Sequence, residues 1–344
     1  MEMKVRGYVQ DHGEEPQAMS VIRTVSDGYK AFRVLQAGLR SGLFDWLAQN
    51  GPAERPAISA ALNLRGAHLA GFLQALEDLG ALARTENRYA LADGMEQVLC
   101  QDSPWYQGAT LDDMLAAPNG WSALDRFMST DWSAPAQTSS GLTLQQHPYF
   151  CEAHRVAAFL AQRIGAPGGK QQVICFDGGE GQMAAALCQA FPDAQITAAV
   201  PENKLAATQA TLAACGVETR CEVLAGSPLT PPEGEFDLAV LFHSLYALRS
   251  TTNDVLAAVA GRLAPGGELY CAHWFCLEAC DTAPGGLRDL DKAVLTDSHP
   301  MCHVETFCDR FGKIGLADAD RADLQGEYGT TKLHFARKLE NAQE

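Results

Sequence analysis

Residues 176–183 read FDGGEGQM. An apolar run, Val173-Ile174-Cys175-Phe176, leads into them, and AAALCQAF (184–191) follows with a helical composition. A strand, a tight glycine turn and a helix make the cradle in which an open α/β sheet holds a nucleotide-type ligand. The glycines are unevenly placed. Glu180 sits among them, and Met183 stands where a third glycine would serve.

Toward the C-terminus the strand–helix alternation continues. QQVICFD, AQITAAV, TRCEVLAG and FDLAVLFHSL predict four strands, separated by the helices GQMAAALCQAF and ENKLAATQATLAACG and followed by TTNDVLAAVAGRLA. PGGELYCAHWF predicts a turn and a fifth strand, ETFCDRFGKIGL a late helix, and TKLHFARK a last strand. Units of this length predict an α/β fold over residues 169–344, a Rossmann-like, doubly wound, mostly parallel sheet. Ligands of such sheets bind beyond the carboxyl ends of the strands, here near the first and fourth.

Toward the N-terminus the pattern is mostly α. VIRTVSDGYKAFRVLQAGLRSGLFDWLAQ carries apolar residues at helical spacing until Pro52 and Pro56 interrupt it. ISAALNLRGAHLAGFLQALEDLGALART predicts two short helices, and ENRYALADG a hairpin turning at Glu86-Asn87. Three helices and a β-wing over residues 21–98 make a winged-helix-like domain. The helix in the DNA-reading place, HLAGFLQALEDLG, has no Lys or Arg, which weighs against a groove reader. Such a domain more often buries its apolar faces against a partner subunit. Residues 1–20 are polar and expected to be loosely ordered. Residues 99–168 predict a helical connector whose aromatics (Trp105, Tyr106, Trp121, Phe127, Trp132, Tyr149, Phe150) either pack as core or wall a pocket.

The chain has 344 residues and a net charge of −16, from 26 Lys+Arg against 42 Asp+Glu. That acidity argues against nucleic acid or an anionic membrane as partner. With no apolar run of membrane-spanning length and no secretory leader pattern, the expected location is cytoplasmic. The 11 cysteines, with no C-x-x-C pair, suggest reduced core thiols and no structural zinc. His299 and His303 would share a face if they lay on a helix, with Cys302 adjacent. A pocket lining is favoured there, and a zinc or iron site is the alternative.

The layout resembles the two-domain small-molecule O-methyltransferase family that uses S-adenosylmethionine, over roughly residues 20–338. The resemblance is carried by GLRSGLFDWLA and FLQALEDLGAL, by the strand–turn–helix at 173–191, by EFDLAVLFHSLYAL and by LAPGGELY. It implies S-adenosylmethionine as cofactor, a small-molecule acceptor and a homodimer formed through the N-terminal domain. Methyl transfer asks the protein to align donor and acceptor, and an oxygen acceptor also needs a base.

Carried over residue by residue, the resemblance puts Asp177 at the family's acid and Gly179 and Gly181 at its first two glycines. Met183 falls at the third, where it is expected to push the helix outward. Ala199 stands where an acid would hold the ribose hydroxyls, and Ser227 where an acid follows glycine near the adenine. Tyr246 takes the position of the base histidine, with His243 three residues earlier. The donor is thus expected to border Asp177, Gly179, Gly181, Ala199, Ser227 and His243, and catalysis to involve His243 and Tyr246. His147, Phe150, His154 and Arg155, on one expected helix, together with His273, His299 and His303, are expected around the acceptor. Arg155 would suit an acidic acceptor, and Glu180 would repel the donor's carboxylate. Two other readings stay open: a methyltransferase fold repurposed for another reaction or for ligand binding, with donor binding lost or altered, and a winged-helix regulator with a ligand domain.

Overall fold

The computed structural model describes residues 16–116, 120–131, 144–164, 171–276, 286–296 and 300–340. The chain forms two compact units that meet between Asp112 and Asp113. No described helix is long and apolar enough to cross a membrane.

In the first unit, α1 (Met19–Arg40) and α2 (Leu43–Asn50) replace the single long helix of the sequence pattern. The break is Gly42, at φ 69°, a left-handed conformation that glycine adopts without steric cost. After β1 (Ala53–Glu54), α3 (Arg55–Leu62) carries Pro56 in its first turn, where the missing N–H costs nothing, and is capped by Asn63 in the left-handed region. Then come α4 (Gly66–Asp78), β2 (Leu82–Thr85), β3 (Arg88–Leu91), α5 (Glu96–Leu99) and α6 (Gly108–Asp113). The hairpin turns at Glu86-Asn87, and β1 adds a third antiparallel strand in the order β1-β3-β2. Leu69, Leu73 and Leu76 of α4 meet Leu43, Phe44 and Leu47 of α2 in a core of their own. Their i, i+4, i+7 and i, i+1, i+4 spacings put each set on one helix face.

The second unit contains α7 (Leu124–Phe127), α8 (Phe150–Ile164), β4 (Gln172–Asp177), α9 (Gln182–Ala190), β5 (Gln195–Val200), α10 (Leu205–Ala214) and β6 (Cys221–Ala225). It continues with β7 (Phe236–Phe242), α11 (Thr252–Gly261), β8 (Leu263–Trp274), α12 (Gly286–Thr296), α13 (Asp309–Lys313), β9 (Leu316–Gly326) and β10 (Gly329–Lys338). The seven strands run β6-β5-β4-β7-β8-β10-β9. The first five are mutually parallel, and β10 is antiparallel to both its neighbours. The fold is therefore the expected doubly wound Rossmann-like sheet. From β4 the chain steps outward through β5 to β6, then returns to the other side of β4 as β7. The order reverses there, which opens a crevice at the carboxyl ends of β4 and β7.

Two details depart from the sequence pattern. Pro265-Gly266-Gly267 is not a turn before a strand. It lies within β8 opposite a register shift between Phe236 and Leu238, with Gly266 at φ 81°. The edge strand β9 reads LADADRADLQG and was not expected. Among the described strands it pairs with β10 alone, and Leu316, Ala322 and Leu324 pack on the core while its acidic residues Asp318, Asp320 and Asp323 are exposed.

Candidate active site

The glycine turn is organised by Asp177, the last residue of β4. Its buried carboxylate accepts the N–H of Gly179 on one oxygen (2.8 Å) and those of Met183 (2.9 Å) and Ala184 (3.3 Å) on the other. It thereby satisfies the first N–H groups of α9, which have no partners within the helix. Burial raises its pKa, and the three N–H bonds offset only part of that rise. Gly178 is the tightest point. Its N–H bonds the Phe242 carbonyl at 2.7 Å, and a Cβ placed on it would lie 2.2 Å from the His243 carbonyl oxygen. Only glycine lets the ends of β4 and β7 approach this closely. Gly181 enters α9 at φ 98°, packed against Thr208 of α10. Met183 does not sit as an obstruction on this surface: its side chain is fully buried in the core, while its N–H serves Asp177.

A cavity of about 540 Å³ opens over the strand ends, within the size range of small-molecule sites. It brings together His147, Asp177, Gly179, Ala199, Ser227, His243 and Tyr246 from the predicted set. It also takes in Gly178, Glu180 and Lys204, together with Tyr149, Ser244, Leu295 and Thr296. Ala199 offers a methyl group and no acceptor. Ser227 Oγ accepts the Leu229 N–H at 3.2 Å, which leaves its O–H free to donate.

Beneath one wall runs a chain of buried polar groups. The Tyr246 hydroxyl accepts the Trp274 N–H (2.9 Å) and lies 2.6 Å from His243 Nδ1. His243 Nε2 lies 2.8 Å from Glu152 Oε1, and Thr331 Oγ1 donates to the same oxygen. With Glu152 as an acceptor, Nε2 carries the proton, so Nδ1 accepts from the tyrosine. The Tyr149 ring stacks on the imidazole at 4.3 Å and 8°. His243 itself sits in the left-handed region at φ 48°, an uncommon conformation for a non-glycine residue and one found at functional turns. Burial holds the Tyr246 phenol well above its ordinary pKa, so it stays protonated at neutral pH.

The other predicted residues are placed differently. Burial drives His147 down to about 4, and its Nδ1 accepts the Tyr149 N–H at 3.1 Å. It therefore faces the cavity as a neutral Nε2–H donor. His273 is corrected from a lining residue to a supporting one. It is buried, and its Nε2 accepts the Ser244 and Leu245 N–H groups at 3.1 and 3.2 Å, fixing the turn that carries Tyr246. Phe150, His154 and Arg155 are not among the cavity's lining residues. His154 bonds the Phe150 carbonyl and Gln189, and the Arg155 guanidinium lies beside Gly326. Gly181, at the start of α9, is likewise not among the lining residues. His303, at φ 61°, precedes a short 3₁₀ turn and is not in a helix. It borders a second depression with Tyr246, Arg249, Cys302 and Arg310. His299 lies outside the described residues. Cys276 Sγ stands 3.8 Å from Cys302 Sγ, and no group of metal-ligating side chains is found among the described residues.

Sequence reasoning missed Glu152, Lys204 and Thr331. Glu152 had a signal: it stands in the stripe Tyr149, Glu152, Ala153, Val156, Ala157, Leu160, whose other members are all apolar. A carboxylate in such a stripe is buried and must find a partner.

No protein-family model and no curated protein matches this sequence. Solved structures do match. An O-methyltransferase family protein from Burkholderia thailandensis superposes at a TM-score of 0.74 with 17% identity, covering 95% of this chain and 100% of its own. A putative O-methyltransferase from Nostoc punctiforme gives 0.71 and 15%, with coverage of 95% and 100%. Human N-acetylserotonin methyltransferase, solved in complex with SAM, gives 0.64 and 18%, with coverage of 95% and 99%. At these identities the likeness establishes architecture, and by that measure the chain has the fold of the O-methyltransferase family proteins.

Proposed function

We propose that the protein is an S-adenosylmethionine-dependent methyltransferase acting on a small-molecule acceptor. One observation carries the reading: the glycine turn over Asp177–Glu180 lines the same cavity as Tyr246 and His243, the end of a polar chain that runs on to buried Glu152, at the switch point of the sheet. Several solved structures of this fold are described with SAM or its product SAH bound.

The residues present fit such a donor. Gly178 and Gly179 border the cavity, and glycine at both lets the turn pack tightly against His243, Gln182 and Tyr149, so backbone and no side chain faces the ligand there. Ser227 supplies a hydroxyl and Ala199 an apolar wall for the nucleoside. When bound, the donor supplies a methyl group on a sulfonium, which needs little more than alignment with the incoming nucleophile. The chain's own contribution is proton handling. The second lone pair of the Tyr246 oxygen accepts the acceptor's hydroxyl proton while the phenol proton passes to His243 Nδ1. The imidazolium so formed is held by Glu152. The raised phenol pKa suits a relay, since Tyr246 keeps its proton until the acceptor gives one up. His147 adds a neutral N–H donor at the rim.

A second reading, a repurposed fold that has lost the donor, is favoured by Ala199 and Ser227 standing where acids would hold the nucleoside, together with Met183 at the third glycine position and Tyr246 at the base's. Calorimetric titration with S-adenosylhomocysteine decides between the two. The expected result is binding with a Kd on the order of micromolar. Absence of heat and of any thermal shift at millimolar ligand sinks the donor reading. We also propose that the protein is a homodimer through the exposed apolar face of α1, readable by light scattering.

A further inference from the structure

The cavity has a charge arrangement that the sequence did not reveal. Glu180 and Asp177 put two carboxyl groups at the glycine turn, and Lys204 answers them. It stands on the short turn Glu202–Lys204 that leads into α10. Its ammonium donates to the Gly178 carbonyl at 2.7 Å and to the Gly179 carbonyl at 3.2 Å. An ammonium has three donors in all. The third has no acceptor among the described residues, and Lys204 is part of the cavity wall. His147 is neutral, which leaves Lys204 as the permanent cation among the lining residues.

We infer that Lys204 makes an anion subsite in the donor cavity and takes the α-carboxylate of the donor's amino-acid end as its counter-ion. This rests on the donor reading above and names how that site orients its ligand. The Lys204 ammonium already lies on the Gly178 and Gly179 carbonyls, so a second cation, the ligand's α-ammonium, is repelled from them. Glu180 is the acidic group left to face it. The amino-acid end is thus read by a pair of opposite charges, carboxylate to Lys204 and ammonium to Glu180. The arrangement also removes the repulsion expected from Glu180, because Lys204 lies in its field. Burial pulls the lysine pKa down while Asp177 and Glu180 pull it up, so the free site holds a partly desolvated cation that an incoming carboxylate compensates.

The test compares three ligands on the full chain by calorimetry: S-adenosylhomocysteine, its decarboxylated analogue, and 5′-methylthioadenosine, which lacks the amino-acid end. The wild type is expected to bind S-adenosylhomocysteine at least about tenfold more tightly than the decarboxylated analogue. Lys204→Met should bring these two affinities together and leave 5′-methylthioadenosine within about twofold of wild type, and Lys204→Arg should restore most of the preference. Equal wild-type affinities for the first two ligands overturn the inference without any variant having to fold. An equal loss for all three ligands in Lys204→Met also overturns it, because it assigns the lysine to holding the turn. If the wild type binds none of the three, the donor reading itself falls and takes the subsite with it.

Discussion

Tyr246 is the residue whose chemistry can be isolated most cleanly. Replacing it with Phe removes one oxygen and keeps the ring. Two bonds go with that oxygen, the one to His243 Nδ1 and the one from the Trp274 N–H. Leaving those buried groups unpaired costs about 1–3 kcal/mol of stability. For an oxygen acceptor the relay is broken, and turnover should fall about 10²- to 10³-fold. S-adenosylhomocysteine affinity, measured in the same preparation, should stay within about twofold. Equal turnover in Tyr246→Phe would show that the proton leaves by another route. His243 and Tyr246 were legible in the sequence because a buried strand ending in a polar phrase announces a sheet's ligand edge. For Glu152 the apolar stripe signalled burial, but nothing local signalled its partner His243, which lies 91 positions away. Lys204 was hidden for a similar reason. Nothing in ENKLAAT tells that a helix-entry lysine turns back onto the carbonyls of another loop.

α1 shows what an element reveals when its burial is uneven. Its C-terminal part buries Gln36, Gly38 and Leu39, while Val21, Ile22, Val25 and Tyr29 are each more than 60% exposed. Val21, Val25 and Tyr29 follow one another at i, i+4 and i+8, a single stripe of apolar side chains facing water. Contiguous exposed apolar surface of this kind marks an interaction face. A second copy of the chain is the occupant we propose, and the double variant Val25→Glu/Tyr29→Glu should convert dimer to monomer by light scattering without changing the helical circular dichroism. An unchanged mass would place any self-association elsewhere. The helices of this unit could be read from sequence because their periodicity is strong, though the break at Gly42 could not, since α2 resumes the same apolar spacing. β9 illustrates the opposite limit. An edge strand is held largely by hydrogen bonds to one neighbour, and in LADADRADLQG the residues that pack on the core, Leu316, Ala322 and Leu324, are too sparse among the charges to make a strand pattern.

Across the whole molecule, buried neutral histidines set the response to acid. His334 of β10 is fully buried against the rings of Phe307 (4.5 Å) and Phe275 (5.2 Å), and burial pushes it down to about 4. His147 is also lowered to about 4, by burial first and then by Lys204 and His243, and burial holds His273 well below the ordinary range. In the unfolded chain all three titrate near 6.5. Between about pH 6.5 and 4 the unfolded state therefore binds more protons than the folded one, so stability is complete above that window and is lost as pH falls through it. The raised pKa of Asp177 works the other way. Its contribution is present at low pH and fades as pH rises, so it offsets part of the loss at the acidic end. His334 alone accounts for roughly 3 kcal/mol by pH 4. Urea unfolding midpoints measured from pH 7.5 to 4.5 should fall steadily. His334→Leu, close in volume and with nothing to protonate, should leave the midpoint at pH 7.5 nearly unchanged and flatten the slope below pH 6.5 by its share. If the variant keeps the full wild-type slope, the acid sensitivity belongs to His147 and His273 at the site, and β10 takes no part in it.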